Sequence, residues 1–455
     1  MSATRMSGQA WRAAWLISVG LYLLLFRLHD IGHSFALLDE QVRDWSIAQL
    51  SLGHLPWAGP RSVNSGLDIG PVYYWFLWIA RVVVGPFLGN MPHAGAWAIS
   101  LLQTAADLVL LRALAPRLGS WPLAAFSVVL LGSSPLDAAM NGSIWNPPVA
   151  LAFTKLALAA ALVPGSPSSA RVVGIALAGC AAVQCHASAV LPVTVIGVVT
   201  IVSLRSAEHR QRLALFAGTT AMLAVATALP YVLRAASGVS ATGGGVSGSV
   251  SAVLADPAGH LRPAFSARAV TGGLETIFAS PYSFPAFGWI LLTAAAATVV
   301  AHRRTPDLAA LAVGPVIVGI AAFALWQGDR VEAYWVLTVA PSAAVCLAAP
   351  CTMLSGRPRT WMVATLWAGL LLLQPARAHA AWTTYRLPQY GALVQGAQAV
   401  AEGHQAVRAV RAGFDVPDGM DPEFLYRLAG GRLTPTATSI AVIGRDGSID
   451  LVPVD

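Results

Sequence analysis

The chain has 455 residues, of which 56% are hydrophobic and only 11% are charged. Soluble globular chains carry about 25% charged residues, so an ordinary soluble enzyme is excluded, and the apolar content also excludes a disordered chain. The net charge of +7 comes from arginine, since Lys155 is the only lysine. These arginines sit at the ends of apolar runs, a footprint of membrane orientation and not of a nucleic-acid partner.

Apolar runs fall at about 11–28, 71–87, 95–115, 121–138, 147–163, 171–184, 187–204, 213–233, 286–301, 308–326, 334–354 and 360–374. A bilayer-spanning helix needs roughly 17–25 residues, so the pattern predicts an all-α polytopic membrane protein. The first run follows Arg5 and Arg12 and ends at Arg27 without a small-residue cleavage site. It reads as a retained first helix and not as a signal peptide. Later arginines (Arg112, Arg117, Arg171, Arg205, Arg210, Arg212, Arg303, Arg304, Arg357 and Arg359) fall on one side only if one early run does not cross. That run is 71–87, PVYYWFLWIARVVVGPF, which holds Pro71, Pro86 and Arg81 and reads as a helix in the interface. The expectation is about eleven crossings in the cell (inner) membrane, with a cytoplasmic N-terminus and an extracytoplasmic C-terminal region.

The first outside loop is then long, about 29–94. Within it, Val42, Trp45, Ala48 and Leu52 recur near helical spacing, which predicts a short amphipathic helix on the outer leaflet or a solvated loop helix. The second outside loop, about 234–285, holds SATGGGVSGSVS; no Gly-Lys-Ser/Thr follows, so it does not read as a phosphate-cradling loop. Residues 375–455 carry 15 of the 49 charged residues. This shift marks a small outside domain of mixed helix and strand after a transmembrane domain of 1–374, with a terminal hairpin around Asp446 and Gly447. The four cysteines lie in or beside apolar segments and imply no disulfide framework.

Several polar residues sit at outside ends. Asp39 and Glu40 follow the first helix, where a partly desolvated carboxylate can act as a general base; the alternative is a solvated acidic pair. Asp68 precedes the Gly70-Pro71 turn, and Tyr73 and Tyr74 read as interface aromatics. Asn141 and Asn146, in NGSIWNPP, can bind sugar hydroxyls or cap helix ends. His186 reads as a helix-break residue, and Cys180, Cys185 and His186 do not have zinc spacing. No metal and no cofactor are expected. Arg330, beside Asp329 and Glu332, offers a guanidinium fork for phosphate or a surface ion pair. Asp107 and Lys155 fall within the bilayer, where an unpaired charge costs at least about 2.5–3.5 kcal/mol, so they are expected to pair.

These pieces resemble the GT-C glycosyltransferases, above all the protein O-mannosyltransferase and lipid A aminoarabinose transferase families. The resemblance rests on Asp39-Glu40 after the first helix, the amphipathic helix, Gly70-Pro71-Val72-Tyr73-Tyr74-Trp75, Trp145-Asn146-Pro147, Gln184-Cys185-His186, and Glu332-Ala333-Tyr334-Trp335 with Pro341. It spans about residues 11–350 and implies a GT-C-like bundle that moves a sugar from a polyprenyl-phosphate donor to an acceptor hydroxyl at the outer face. It implies Asp39 as the base, with Glu40 the alternative, and inversion at the sugar carbon. Arg330, His186, Arg61 and Arg81 are then candidates for the donor phosphate. Asp68, Tyr73, Asn141, Asn146 and Glu332 are candidates for the substrates, with membrane lipids around them. Two departures stand out: Ile69-Gly70-Pro71 replaces a frequent Lys-Pro-Pro, and Asn141 and Asn146 stand where many members have an aspartate. A transporter or flippase of lipid-linked sugars is the other class, but no internal repeat supports it; a non-catalytic envelope-assembly protein is a third.

Overall fold

The computed structural model describes residues 8–60, 69–165, 167–205, 209–236, 263–324, 332–384, 386–403, 406–416 and 421–454. Helix α1 (Gly8–Leu28) leads into α2 (Asp39–Ala48) and α3 (Val72–Val83), then α4 (His93–Leu118), α5 (Trp121–Gly132), α6 (Pro135–Asn141), α7 (Asn146–Leu162), α8 (Ser169–Cys185), α9 (Val190–Ser203) and α10 (Arg210–Ala236). Then come α11 (Pro263–Ala279), α12 (Phe287–Ala301), α13 (Pro306–Phe323), a 3-10 stretch Ala333–Val339, α14 (Ala340–Ala348) and α15 (Gly356–Thr383). The chain closes with α16 (Tyr390–Glu402), α17 (Pro422–Leu428) and a small sheet in which β1 (Val410–Ala412) runs parallel to β2 (Ser439–Ile443) and β2 antiparallel to β3 (Ile449–Pro453). The β2–β3 pairing is the expected terminal hairpin, and Gly447 turns it with φ of +82°.

Helix ends follow from local chemistry. Helix α4 stops at Gly119, whose φ of +59° is the left-handed cap that glycine adopts without strain. Ser120 then accepts the Leu123 N–H and starts α5. The run read as one segment over 121–138 is broken instead, with α5 and α6 bent by 59°. Ser134 caps α6 and Pro135 occupies its first turn, where a missing N–H costs nothing but the preceding helix cannot continue.

Among the described residues four helical stretches are long and apolar enough to cross a membrane: α1, α4, α13 and Ala333–Met353. The bent α5–α6 pair makes a fifth. The described helices thus supply fewer crossings by length and composition than the eleven expected, because α7, α8, α9 and α12 are apolar but shorter. Helix α3 has 12 residues and runs about 18 Å, short of the roughly 30 Å hydrocarbon core. It buries Tyr73, Tyr74, Leu77 and Ala80 and exposes Ile79, Val82 and Val83. The lipid-facing surface is visible as exposed Leu21 and Leu25 on α1, Trp289 on α12 and Leu371 and Leu372 on α15.

At one end of the bundle, arginines satisfy helix C-terminal carbonyls. Arg117 donates to the Leu162 carbonyl and pairs with Asp307 at 2.6 Å, Arg171 donates to the Ala160 carbonyl at 2.6 Å, and Arg359 donates to the Leu118 carbonyl.

Inside the bundle four charges meet with no solvent exposure. Arg27 Nη2 lies 2.7 Å from Asp107 Oδ2 and 2.9 Å from Asp137 Oδ2, and Lys155 Nζ lies 2.8 Å from Asp107 Oδ1. The expected Asp107–Lys155 pair is therefore present, but as half of a neutral quartet joining α1, α4, α6 and α7. Thr104 and Gln103 add to it, accepting from Arg27 at 3.0 Å and from Lys155 at 2.6 Å.

The bundle core includes Leu23, Leu111, Leu123, Leu158, Leu274 and Val339. A second core sits over the other end. It unites Phe35 and Trp45 of the first loop, Tyr73 and Leu77 of α3, Ile144, and Tyr390, Leu393, Leu425 and Ile443 of the C-terminal region. Tyr390 Oη bonds His93 Nδ1 at 3.0 Å, and the Gly391 N–H donates to the His33 carbonyl. The C-terminal sheet and helices thus share their hydrophobic core with the first loop.

Candidate active site

The end of the bundle opposite the arginine belt gathers four segments that are distant in sequence. Helix α2 starts with Leu38 in extended backbone, whose N–H is taken by Gln41 Oε1 at 3.2 Å. This places Asp39 and Glu40 in the first helical turn, where the helix dipole favours carboxylates. Both are exposed. Glu40 Oε2 accepts the Trp145 indole N–H at 2.8 Å. Among the described residues Asp39 has no hydrogen-bond partner, so its carboxylate is uncommitted.

Trp145 stacks obliquely on Tyr334 with centroids 5.5 Å apart, and Tyr334 meets the His186 ring edge-on at 6.1 Å. His186 Nδ1 accepts the Ser188 N–H at 3.3 Å, which leaves the ring proton on Nε2. Burial lowers the His186 pKa to about 4, so at neutral pH the ring offers a hydrogen bond and not a positive charge to a phosphate. Asn146 Nδ2 donates to the Cys185 carbonyl at 2.6 Å and ties the start of α7 to the end of α8. Asn146 is therefore spent on the backbone. Glu332 precedes Tyr334 by two residues and is half-buried.

Beneath these residues lies a carboxylate that the sequence pattern missed. Helix α2 buries Gln41, Asp44, Trp45 and Ala48, whereas Leu52 is 63% exposed. The buried stripe is thus rotated from the expected Val42–Trp45–Ala48–Leu52 face, because α2 packs on α3 and the two tyrosines there need an acceptor. Tyr73 Oη lies 3.0 Å from Asp44 Oδ2 and Tyr74 Oη 3.3 Å from Asp44 Oδ1, while Arg43 pairs with Asp44 at 3.0 Å. Both tyrosines are buried and do not serve as interface aromatics. Burial pushes the Asp44 pKa up to about 6, with Arg43 opposing it. Burial, together with the Asp44 charge, raises both tyrosines. Tyr73 Oη also lies 2.5 Å from the Ile144 carbonyl. One phenolic proton serves one acceptor at a time, so Tyr73 donates to either the Asp44 carboxylate or the Ile144 carbonyl. Ile144 itself holds φ at +48°, a costly conformation for a β-branched residue, immediately before Trp145.

The other expected site residues divide. Arg61, Asp68 and Arg330 lie outside the described residues. Arg81 stands eight residues along α3 from Tyr73, about 12 Å away, in a shallow groove with Val82, Pro86 and Asn90. It is not brought to the Trp145–Tyr334–His186 cluster. Gly70 has a packing role: a Cβ there would lie 2.5 Å from Gln184 Cγ, so only glycine lets this strand of the loop rest on the end of α8.

Asn141 ends α6, fully buried, and among the described residues neither its Oδ1 nor its Nδ2 has a partner. Beyond Gly142 lies Arg386, a residue not singled out in the sequence. Its Nε, Nη1 and Nη2 are all buried and have no hydrogen-bond partner among the described residues. Burial lowers its pKa to about 10, with the Asp30 charge opposing the shift.

The architecture is a helical bundle with a small mixed domain over its first-loop end, and a solved structure shares the fold. ArnT from Cupriavidus metallidurans bound to undecaprenyl phosphate, a lipid A aminoarabinose transferase of the GT-C superfamily, matches with a TM-score of 0.52 at 16% identity, covering 92% of this chain and 85% of that one. ArnT in the apo state gives a TM-score of 0.49 at 16% identity over 94% and 86% of the two chains. The mycobacterial arabinofuranosyltransferase AftD gives 0.38 at 16% identity, covering 90% of this chain and 30% of that one. No protein-family model and no curated protein matches the sequence. The shared fold with ArnT is the GT-C fold expected from the motifs.

Proposed function

We propose that this protein is a glycosyltransferase that moves a sugar from a polyprenyl-phosphate donor to an acceptor hydroxyl at the outer face of the cell membrane. The observation that carries the reading is the convergence at one end of the bundle. The uncommitted Asp39 stands there beside Glu40, which Trp145 holds, with Tyr334 and His186 packed behind. Aromatic faces suit the apolar faces of a sugar ring. A first-loop carboxylate at the membrane surface suits a donor whose reactive carbon is held there by its lipid tail.

In this reading Asp39 takes the proton of the acceptor hydroxyl as its oxygen attacks the anomeric carbon. The carbon–phosphate-oxygen bond breaks from the opposite side, its electron pair leaves with the phosphate, and the sugar carbon inverts. Glu40 is the lesser candidate, because its carboxylate already accepts the indole N–H. His186 Nε2 supplies a hydrogen bond, and the positive charge for the leaving phosphate falls to arginine. Residues 1–374 form the membrane enzyme, with a cytoplasmic N-terminus, and residues 375–455 cover its extracytoplasmic face. ArnT, which shares the fold, is bound to undecaprenyl phosphate in its solved structure, and this supports a donor of the same class here.

The test is transfer of radiolabel from polyprenyl-phosphate sugars to acceptor by the purified full chain. Asp39→Asn keeps shape and removes basicity. Its expected rate loss is about 10²–10⁴-fold, the usual contribution of a positioned base, with donor affinity little changed. Normal transfer by Asp39→Asn together with loss in Glu40→Gln would move the base to Glu40. Normal transfer by both would remove the first loop from the chemistry.

A further inference from the structure

We infer that Arg386 and Asn141, on either side of Gly142, form a binding site for a phosphate-bearing ligand with a hydroxyl beside the phosphate. This is the chemistry of a sugar phosphate.

The first support is polar demand. A guanidinium has five N–H donors and a charge that does not leave at any working pH. All three Arg386 nitrogens are removed from water without an acceptor among the described residues, and burying an unpaired charge costs several kcal/mol. The acid that it senses, Asp30, bonds His33 at 3.1 Å and is 48% exposed, so it does not neutralise the fork. A guanidinium in this state calls for an oxyanion, and phosphate matches its bidentate geometry. Asn141 adds a different demand. Its amide is fully buried with both the oxygen and the nitrogen unpartnered among the described residues. One donor and one acceptor side by side are met by a hydroxyl, which gives and takes one hydrogen bond.

The second support is shape. Gly142 has φ of −77° and ψ of 4°, backbone open to any residue. A Cβ on it would lie 3.1 Å from Arg386 Cζ and 3.2 Å from Nη2. What a side chain would disturb here is therefore the guanidinium and not the backbone. The same distance keeps the guanidinium within about 9 Å of the Asn141 Cα, a span that one phosphorylated sugar bridges. The third support is place. Trp145, which holds Glu40, follows Gly142 by three residues, so the site adjoins in sequence the loop that builds the candidate active site.

The test measures binding and needs no transfer, so it stands whether or not the transferase reading holds. The full-length protein in detergent is titrated calorimetrically with a hexose 1-phosphate, with inorganic phosphate, with a short-chain prenyl phosphate and with a neutral alkyl glucoside. The wild type should bind the phosphate-bearing probes and bind the hexose 1-phosphate more tightly than inorganic phosphate. Arg386→Ala should weaken all phosphate-bearing probes at least tenfold, and Arg386→Lys should recover only part. Asn141→Ala should reduce the preference for hexose 1-phosphate over inorganic phosphate. Tighter binding of prenyl phosphate than of hexose 1-phosphate would assign the ligand to the lipid carrier, and the reverse to a soluble sugar phosphate. Should Arg386→Ala fail to fold, Gly142→Ala, which only crowds the fork, should give a tenfold loss with the melting temperature kept. Absence of wild-type binding to every phosphate probe, or equal binding by wild type and folded Arg386→Ala, would overturn the site.

Discussion

Arg27 and Arg386 both have nitrogens that water does not reach, and their surroundings differ in kind. Arg27 donates to Asp107, Asp137 and Thr104 inside a quartet whose charges cancel. Arg386 has buried nitrogens with no acceptor among the described residues. A buried charge with good partners acts as scaffold, because its desolvation is offset within the fold. A buried charge without partners stores an unmet demand that a ligand can satisfy, and it stands beside the residues proposed for chemistry. The contrast separates what holds the bundle from what the bundle presents.

The largest effect should come from breaking the scaffold side. Asp107→Ala leaves Arg27 and Lys155 sharing only Asp137, and removing one partner of a buried pair costs about 3–5 kcal/mol. Thermal unfolding in detergent should show the loss. A melt as high as that of the wild type would mean that the quartet does not hold the helices together.

Asp44 offers an intermediate case, a buried carboxyl with polar partners but a raised pKa of about 6 against an ordinary 3.8. The folded state holds this proton more tightly than the unfolded chain. Stability contributed by Asp44 is therefore complete below about pH 4 and is lost as pH rises through about 6. The span corresponds to about 3 kcal/mol. Asp44→Asn should flatten that part of the stability–pH curve. An unchanged slope between pH 4 and 6 would place the titration elsewhere.

On the ligand-site side the expected change has the opposite sign. Arg386→Met, measured without ligand, should raise the melt, since it removes an unpaired buried charge and loses no hydrogen bond. A loss as large as that of Asp107→Ala would make Arg386 a scaffold residue after all. Smallest is Trp145→Phe, which removes one exposed hydrogen bond to Glu40, worth under about 1 kcal/mol. It should cost transfer activity far more than stability, and the opposite ranking would make the Trp145–Glu40 bond a packing contact.

Much of the frame was legible in the sequence. The Asp107–Lys155 pairing followed from the cost of charge in lipid, and the hairpin at 439–453 from an Asp-Gly turn between apolar strands. The short α3 followed from two prolines and an arginine. The rest depended on distance along the chain. Arg27 read as the end of an apolar run, because its partner Asp137 is 110 residues away. Asp44 read as part of a polar face, and only the hydroxyls of Tyr73 and Tyr74, 29 and 30 residues on, turn that face inward. The break of 121–138 had a local signal in Ser134-Pro135, which apolar run length overrode. Arg386 carried no local signal, since its role arises from Gly142, a residue unremarkable by its backbone.

Helix α6 is only seven residues long, and its two ends belong to different worlds. Asp137, in its first turn, is clamped by Arg27, and Asn141, its last residue, presents the unpartnered amide. Four residues of helix separate them by about 6 Å. Helix rigidity joins the ion-paired end to the amide end, so loosening the Arg27–Asp137 pair would be felt at Asn141 as a displaced amide.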